Sequence, residues 1–493
     1  MFVGREEYLK DLSNLWNKQV SSLVTCRGRR RIGKSSLIER FAANSKCRFI
    51  EIAGAAIRPQ MKNRDQLNHF CNQLADQSNL PKGVTADSWL AAFGLLDSVI
   101  SDDERTVVLL DEVSWMGRFD ADFAGALKTV WDKRLKKHDR LICVICGSAS
   151  TWIQHNILEN SAFAGRLSLN LVLDELPLRD CVKFWGRKCE RLRTDEFFNV
   201  LSVTGGVPKY LEEIDVSVSA DENIRRMCFV PTGALVDEFE QIFSEVFEVS
   251  AGAKKQLLHA LAGGPLTATE IASRLQIDRN GHLTRHLDEL EAAGFIAKES
   301  GLNPATGAPL KCVTYRIRDS YTRFYPHHME PRMTSSKAGT FQFVSLDRLA
   351  GWRTILGLQF ENLIVGHYRE VLPFLNLGQA LILSAAPYRR MGADGVQIDL
   401  LLQMDTVLYV VEVKHQEHIG KEVIDEMRNR VAKIPRKGRK SVRVALVYDG
   451  DLDPAVAASG YFDALVSTED LLVSHKTLPG VSMRAQTPHR VKR

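Results

Sequence analysis

The amino-acid sequence predicts a multidomain α/β protein. A parallel sheet carrying a phosphate loop comes first, followed by a helical lid, a winged helix and a C-terminal α/β domain. Three observations predict it. Strand and helix signals alternate through residue 175, the pattern of a parallel sheet wrapped by helices. A G-x-x-x-x-G-K-S run follows the first strand. A strand pair near residue 400 sets two acids and a lysine among apolar neighbours.

The elements follow in order. Residues 1–175 contain the β-rich runs SLVTC (22–26), RFIEI (48–52), TVVLLD (106–111) and LICVICG (141–147), separated by helical stretches. Residues 176–250 read as helices broken at Gly205–Pro208. Residues 251–333 read as three short helices and a β-wing formed by GFIAKES and KCVTYRIRD, a winged helix-turn-helix pattern. MEPRMTSSKAGT (329–340) has the composition of a boundary. A further α/β domain spans 334–475, and 476–493 form a basic tail.

With 493 residues, 45% hydrophobic and 25% charged, the chain is neither wholly disordered nor short of core. No apolar run reaches the ~18–20 residues of a membrane helix. The N-terminus is charged within five residues and does not read as a secretory signal. Nine scattered cysteines read as reduced thiols, so the expected location is the cytoplasm. The net charge of +5 is uneven. Residues 418–443 hold nine Lys/Arg against three Asp/Glu, and 474–493 hold five Lys/Arg and no acid. A polyanion would bind there, unless these are a solvated helix and a frayed tail.

Gly28, Gly33, Lys34 and Ser35 form the phosphate loop. Its glycines let backbone N–H groups curl around a phosphate at a helix N-terminus. Lys34 can reach the β- and γ-phosphates of ATP, and the Ser35 hydroxyl can ligate Mg²⁺. Ser36 completes this part of the candidate site. TVVLLD suits a strand buried on both faces. Asp111 at its end can hold the magnesium through water, and Glu112 can deprotonate the attacking water. Ser148, after the strand 141–147, can contact that water or the γ-phosphate. Cys143 and Cys146 point to opposite faces of that strand and read as core residues, not zinc ligands.

The winged helix is electrically balanced: residues 252–300 hold six basic and six acidic side chains. DNA affinity is dominated by phosphate neutralisation, which favours a packing role. Arg279, Arg285 and His286 keep the groove reading open.

VQIDLLLQMDTVLYVVEVKHQE (396–417) reads as two strands turning near Asp405–Thr406. In that register Asp399 faces Glu412 directly, with Cβ atoms ~4.5–5.5 Å apart. Two such carboxylates can share a hard cation such as Mg²⁺, with Mn²⁺ as a substitute. Lys414, two residues on, shares Glu412's face and can stabilise negative charge. The alternative is an ordinary Glu412–Lys414 ion pair on a half-exposed strand. Upstream, an amphipathic helix carries Glu361.

FVGRE, GRRRIGKSSL, VVLLDE, GSAS, FAGR and GGVPKYL occur in the order found in the archaeal-type ATPases, in the STAND branch of the AAA+ superfamily. The resemblance covers roughly residues 1–330. It implies that Val3, Gly4 and Arg5 lie beside the base and that Pro208 contacts the nucleotide from the lid. It also implies that Arg166 reaches a neighbouring subunit's γ-phosphate, which requires self-association. Residues 340–475 resemble the PD-(D/E)xK nuclease-like domain often fused to such ATPases. That resemblance makes Glu361 the accessory acid, Asp399 and Glu412 metal ligands, and Lys414 the catalytic lysine. Ile398 stands where a proline often precedes the aspartate. The implied protein is an ATP- and Mg²⁺-dependent nuclease acting on DNA, suited to defence against foreign DNA or to maintenance of mobile elements. The alternative is an ATP switch whose C-terminal domain binds nucleic acid or a regulatory protein without cutting.

Overall fold

The structure is a computed structural model and describes residues 1–148, 150–247, 251–310, 312–392, 395–435 and 440–473. The basic tail and part of the basic segment 418–443 lie outside these residues.

The N-terminal sheet is made of β1 (Ser22–Gly28), β2 (Arg48–Ala53), β3 (Thr106–Asp111), β4 (Leu141–Gly147) and β5 (Leu167–Leu173). All are parallel, in the order β2-β3-β4-β1-β5. Helices cover both faces, so the central strands are apolar throughout. Leu110, Cys143 and Ile145 enter one core, while Cys26, Val144 and Cys146 enter the other. Both C-x-x-C cysteines are packing residues, as the strand period requires, and burial pushes the Cys143 thiol up to about 12.

The helix-turn-helix comprises Ala251–Leu261, Ala268–Leu275 and Gly281–Ala292. Sequence-local caps set its turns. Thr267 and Glu270 form a reciprocal capping box, and the Asn280 side chain accepts from the N–H groups of His282 and Leu283. Its wing is β6 (Leu266–Thr267), β7 (Ile296–Glu299) and β8 (Thr314–Ile317), antiparallel in the order β6-β8-β7. On the third helix Glu289 pairs with buried Lys254 at 2.6 Å, so one of its acids is spent on packing.

The stretch 329–340, expected as a boundary, is largely helical. Short turns run through Tyr325–Met329, Glu330–Arg332 and Met333–Lys337, with Met329 and Ser336 buried. Beyond it lie the accessory helix Trp352–Gly366, β9 (Ser384–Arg390), β10 (Val396–Gln403), β11 (Val407–Ile419), the cover helix Glu422–Lys433, β12 (Ser441–Leu452) and β13 (Ala464–Ser467). The sheet order is β13-β12-β11-β10-β9. β9 carries Pro387 within it; an edge strand tolerates a proline because one side needs no partner.

One apolar cluster runs from Leu176 to Leu472, through lid, winged helix and C-terminal sheet. Phe198 of the lid helix Thr194–Thr204 meets Phe360 of the accessory helix edge-on at 5.0 Å. Gln359 Nε2 donates to the carbonyls of Ser202 and Ser320, both at 2.8 Å, tying three segments at one amide. Truncating such a buried aromatic costs ~3–5 kcal/mol. No helix among the described residues is long and apolar enough to cross a membrane.

Candidate active sites

The first site lies at the ends of β1, β3 and β4. Gly28 closes β1 at φ 153°, where an added Cβ would lie 2.3 Å from the Leu173 carbonyl oxygen of β5. Gly33 stands at φ 85° and caps the helix Lys34–Ser45, turning the helix N-terminus toward the loop. Lys34 Nζ donates to the Gly28 and Arg29 carbonyls at 3.2 and 3.1 Å. Ser35 Oγ donates to Asp111 Oδ2 at 2.5 Å, which places the hydroxyl and the acid where one cation would touch both. Glu112 follows at φ 44°, a left-handed position that turns its side chain toward β4. Ser148 Oγ donates to Glu112 Oε2 at 3.0 Å. Ser148 thus orients Glu112, a role the motif alone did not assign.

A cleft of about 470 Å³ is lined by Arg30, Arg31, Lys34, Ser35, Asp111 and Glu112. A second chamber of about 350 Å³ is lined by Phe2, Val3, Arg5, Ile32, Leu176 and Phe184. Gly33, Ser36, Pro208 and Glu212 line both, so the two are continuous. One half is cationic and fits a polyphosphate. The other is mostly apolar and fits a nucleobase. Arg5 is pinned by its own hydrogen bonds, to the Ile32 and Asp174 carbonyls at 3.3 and 2.5 Å, and burial lowers its pKa. It shapes the chamber through the backbone it holds. Gly4 is compressed against Asp180, where a Cβ would lie 2.5 Å from the carboxylate.

Arg166 lines neither chamber of its own chain. It forks onto Asp132, Nε to Oδ1 and Nη2 to Oδ2, both at 2.8 Å, and remains partly exposed. The sequence did not single out Arg29. Its buried side chain leaves the phosphate loop and pairs with fully buried Asp319 of the winged-helix module at 2.6 Å, beside the Tyr210 hydroxyl. Three consecutive arginines gave no sign of which one turns inward.

The second site lies on β10 and β11. The antiparallel pairs Leu400–Val411 and Gln403–Leu408 set the register, closed by the turn in which Met404 N donates to Val407 O at 2.9 Å. The pairing ends at Leu400–Val411; beyond it Val413 N donates to Asp399 Oδ2 at 2.9 Å, and the charge of Asp399 acts on Glu412. Glu412 is 2% exposed and Asp399 8%. Burial, and then the charge of Glu361, push the Asp399 carboxyl up to about 6. Burial, and then the charge of Asp399, push Glu412 up to about 7.

Lys414 Nζ lies 3.3 Å from Glu412 Oε1 and 2.9 Å from Glu426 Oε2 of the cover helix. Burial pulls its ammonium down, but Glu426 and Glu412 together hold it above its ordinary value. The Glu412–Lys414 ion pair of the alternative reading is therefore present, on an acid far more buried than that reading expected. Arg430 of the cover helix also pairs with Glu412 Oε2. The sequence left Arg430 among a run of basic residues. His415 turns to the opposite face, between the rings of Phe198 and Phe360 and 2.9 Å from Asp449.

Glu361 departs from the expected arrangement. It lines a small cavity with Arg316 and Arg323 of the winged-helix module. Burial raises its pKa, and the charges of those arginines act on it ahead of those of Glu299 and Glu412. Among the described residues no three His, Cys, Asp or Glu are gathered round one point as metal ligands. Asp399 and Glu412 are brought together; Glu361 stands near enough for its charge to act on Asp399, but it also lines the cavity of Arg316 and Arg323.

Residues 2–214 match the family described as an ATPase domain predominantly from Archaea, and residues 255–299 match a helix-turn-helix domain. An uncharacterized protein of Methanocaldococcus jannaschii is 24% identical over 86% of this chain and 89% of its own length. An uncharacterized ATP-binding protein of the same organism is 44% identical over 52 residues, 10% of this chain and 88% of its own. The Walker-type ATPase of Pyrococcus abyssi aligns in structure over 65% of this chain and 95% of its own, at 17% identity and a TM-score of 0.48. The chain carries an archaeal-type ATPase domain, followed by a helix-turn-helix domain.

Proposed function

We propose that this chain couples ATP hydrolysis to metal-dependent cleavage of a nucleic acid, DNA above all. The observation that carries the reading is the buried acids Asp399 and Glu412, neighbours on β10 and β11 where Asp399 accepts from Val413 N, with Lys414 3.3 Å from Glu412. Asp399 raises the proton affinity of Glu412, and two such buried carboxylates are hard, anionic donors suited to Mg²⁺ or Mn²⁺. Asp399 and Glu412 would hold the cation, with water completing its shell. A bound cation supplies an acidified water and charge stabilisation. Lys414 holds the attacking water or a phosphoryl oxygen. In the hydrolysis the water oxygen bonds to phosphorus, the bond to the leaving oxygen breaks, and that oxygen takes up a proton.

At the first site Lys34 neutralises the β- and γ-phosphates. Ser35 and Asp111 hold Mg²⁺, and Glu112, oriented by Ser148, takes the proton of the attacking water. Arg166 completes a neighbouring chain's site after leaving Asp132, which makes the active ATPase an oligomer. Mixing Arg166→Ala with Lys34→Ala chains then restores part of the ATPase activity that each lacks alone. A strictly monomeric enzyme with full activity per chain contradicts that reading.

The second reading is an ATP switch that binds nucleic acid or a regulatory protein without cutting. What favours it is that Glu412 is already paired with Arg430 and Lys414, and that Glu361 is drawn toward Arg316 and Arg323. Incubating the protein with linear, circular and single-stranded DNA, with and without ATP and Mg²⁺ or Mn²⁺, separates the two. Cleavage that Asp399→Asn abolishes supports the nuclease, and binding without cleavage supports the switch.

A further inference from the structure

We infer that Arg430 is a movable counter-ion, which neutralises Glu412 until a divalent cation takes that acid and then turns to a phosphate of the nucleic acid. The inference rests on the nuclease reading and assigns a positioning residue to it. Arg430 sits near the C-terminal end of the cover helix, its guanidinium on Glu412 Oε2. Glu412 is 2% exposed at its side chain and Arg430 31%, so the acid is fixed in the sheet and the arginine is the partner with room to move.

A cation that takes Oε2 of Glu412 must displace the guanidinium. Arginine does not lose its proton, so the displaced group remains a cation and needs another anion. Lys414 does not compete for that role, because Glu426 anchors it separately at 2.9 Å. The space beside Arg430 is a cavity of about 440 Å³ lined by Gln397, Asp399, Asn429, Arg430 and Lys433. Asp399 opens into it, so a cation held there would border the same space. Once that acid is engaged by metal, the remaining lining offers a guanidinium, an ammonium and two side-chain amides. That set suits a phosphodiester, which a guanidinium can grip with two hydrogen bonds. Metal and nucleic acid would then favour one another through Arg430, since each stabilises the arrangement the other needs.

The test uses the full chain and measures Mn²⁺ binding by electron paramagnetic resonance without nucleotide, with Asp399→Asn identifying the signal of this site. Arg430→Gln removes the competing charge and should bind Mn²⁺ roughly tenfold more tightly than wild type when no DNA is present. The same variant should bind a non-cleavable phosphorothioate DNA less tightly in the presence of Mn²⁺. Arg430→Lys keeps the charge and should hold Mn²⁺ affinity near wild type while losing part of the DNA affinity, which also guards against a variant that fails to fold. A merely structural arginine predicts that Arg430→Gln weakens Mn²⁺ binding or leaves it unchanged, and either result overturns the inference. If wild type shows no Asp399-dependent Mn²⁺ site, the nuclease reading falls and this inference with it. If wild type binds Mn²⁺ and cuts DNA but Arg430→Gln behaves like wild type, only the inference falls.

Discussion

The phosphate loop and the C-terminal hairpin both set carboxylates on buried strands, Asp111 at the end of β3 and Asp399 and Glu412 within β10 and β11, yet their surroundings differ in charge. At the phosphate loop, Lys34 and the helix N-terminus face an open cleft that Arg30, Arg31, Asp111 and Glu112 also line, Arg31 being paired with Glu238 at 2.6 Å. At the hairpin the acids are the buried part, and the cations Lys414 and Arg430 reach over them from the outside. The first arrangement waits for a polyanion. The second is an anionic pocket already neutralised by the protein's own cations. On the proposed reading, any cation bound at the hairpin would have to compete with them.

Breaking one site should leave the other working. Lys34→Ala should lower ATP turnover by at least about a hundredfold, since it removes the group that meets developing phosphate charge. Glu112→Gln should also turn over slowly but keep nucleotide affinity, measured by a fluorescent ATP analogue. Both should leave Mn²⁺ binding at the hairpin unchanged.

The next effect is on stability. Arg29–Asp319 is buried and joins the phosphate loop to the winged-helix module. Arg29→Met leaves Asp319 charged in the core and should cost ~3–5 kcal/mol in denaturant unfolding. The double variant with Asp319→Asn should cost less than the two single changes added together.

The smallest effect is with pH and is specific to the hairpin. Glu412 is raised from 4.5 to about 7 in the folded chain, and Asp399 from 3.8 to about 6. Between these limits the folded state holds more protons than the unfolded one, so stability falls as pH rises from about 4 to 7. Thermal unfolding of Glu412→Gln should show a shallower decline over that window. Mg²⁺ or Mn²⁺ binding near pH 6 should release protons, which calorimetry in buffers of different ionisation enthalpy will show.

The phosphate loop could be read from Gly28, Gly33, Lys34 and Ser35, because its geometry is local: one strand, one turn and one helix start. The hairpin register could be read as well, because a turn at Asp405–Thr406 by itself sets the pairing that runs from Leu400–Val411 to Gln403–Leu408. The fate of Glu361 was not legible. It depends on Arg316 and Arg323, from a module more than thirty residues upstream in sequence, and no local pattern carries that contact. The same holds for Arg29, whose partner Asp319 lies 290 residues away, and for Arg430, one of several basic residues on an amphipathic helix. The continuity of lid, winged helix and C-terminal sheet was hidden too, since residues 329–340 look like a linker in composition but fold into short helical turns that bury Met329 and Ser336.

The most direct test of the account is phosphodiester cleavage by the wild-type chain in the presence of Mg²⁺ or Mn²⁺ and ATP, read beside Asp399→Asn and Lys414→Ala. The account predicts that wild type cuts DNA and that neither variant does. Asp399→Asn should also lose the hairpin metal, Lys414→Ala should keep it, and both should retain full ATPase activity. A wild-type chain that hydrolyses ATP but leaves DNA and RNA intact under all of these conditions would contradict the nuclease claim and assign the hairpin to binding alone.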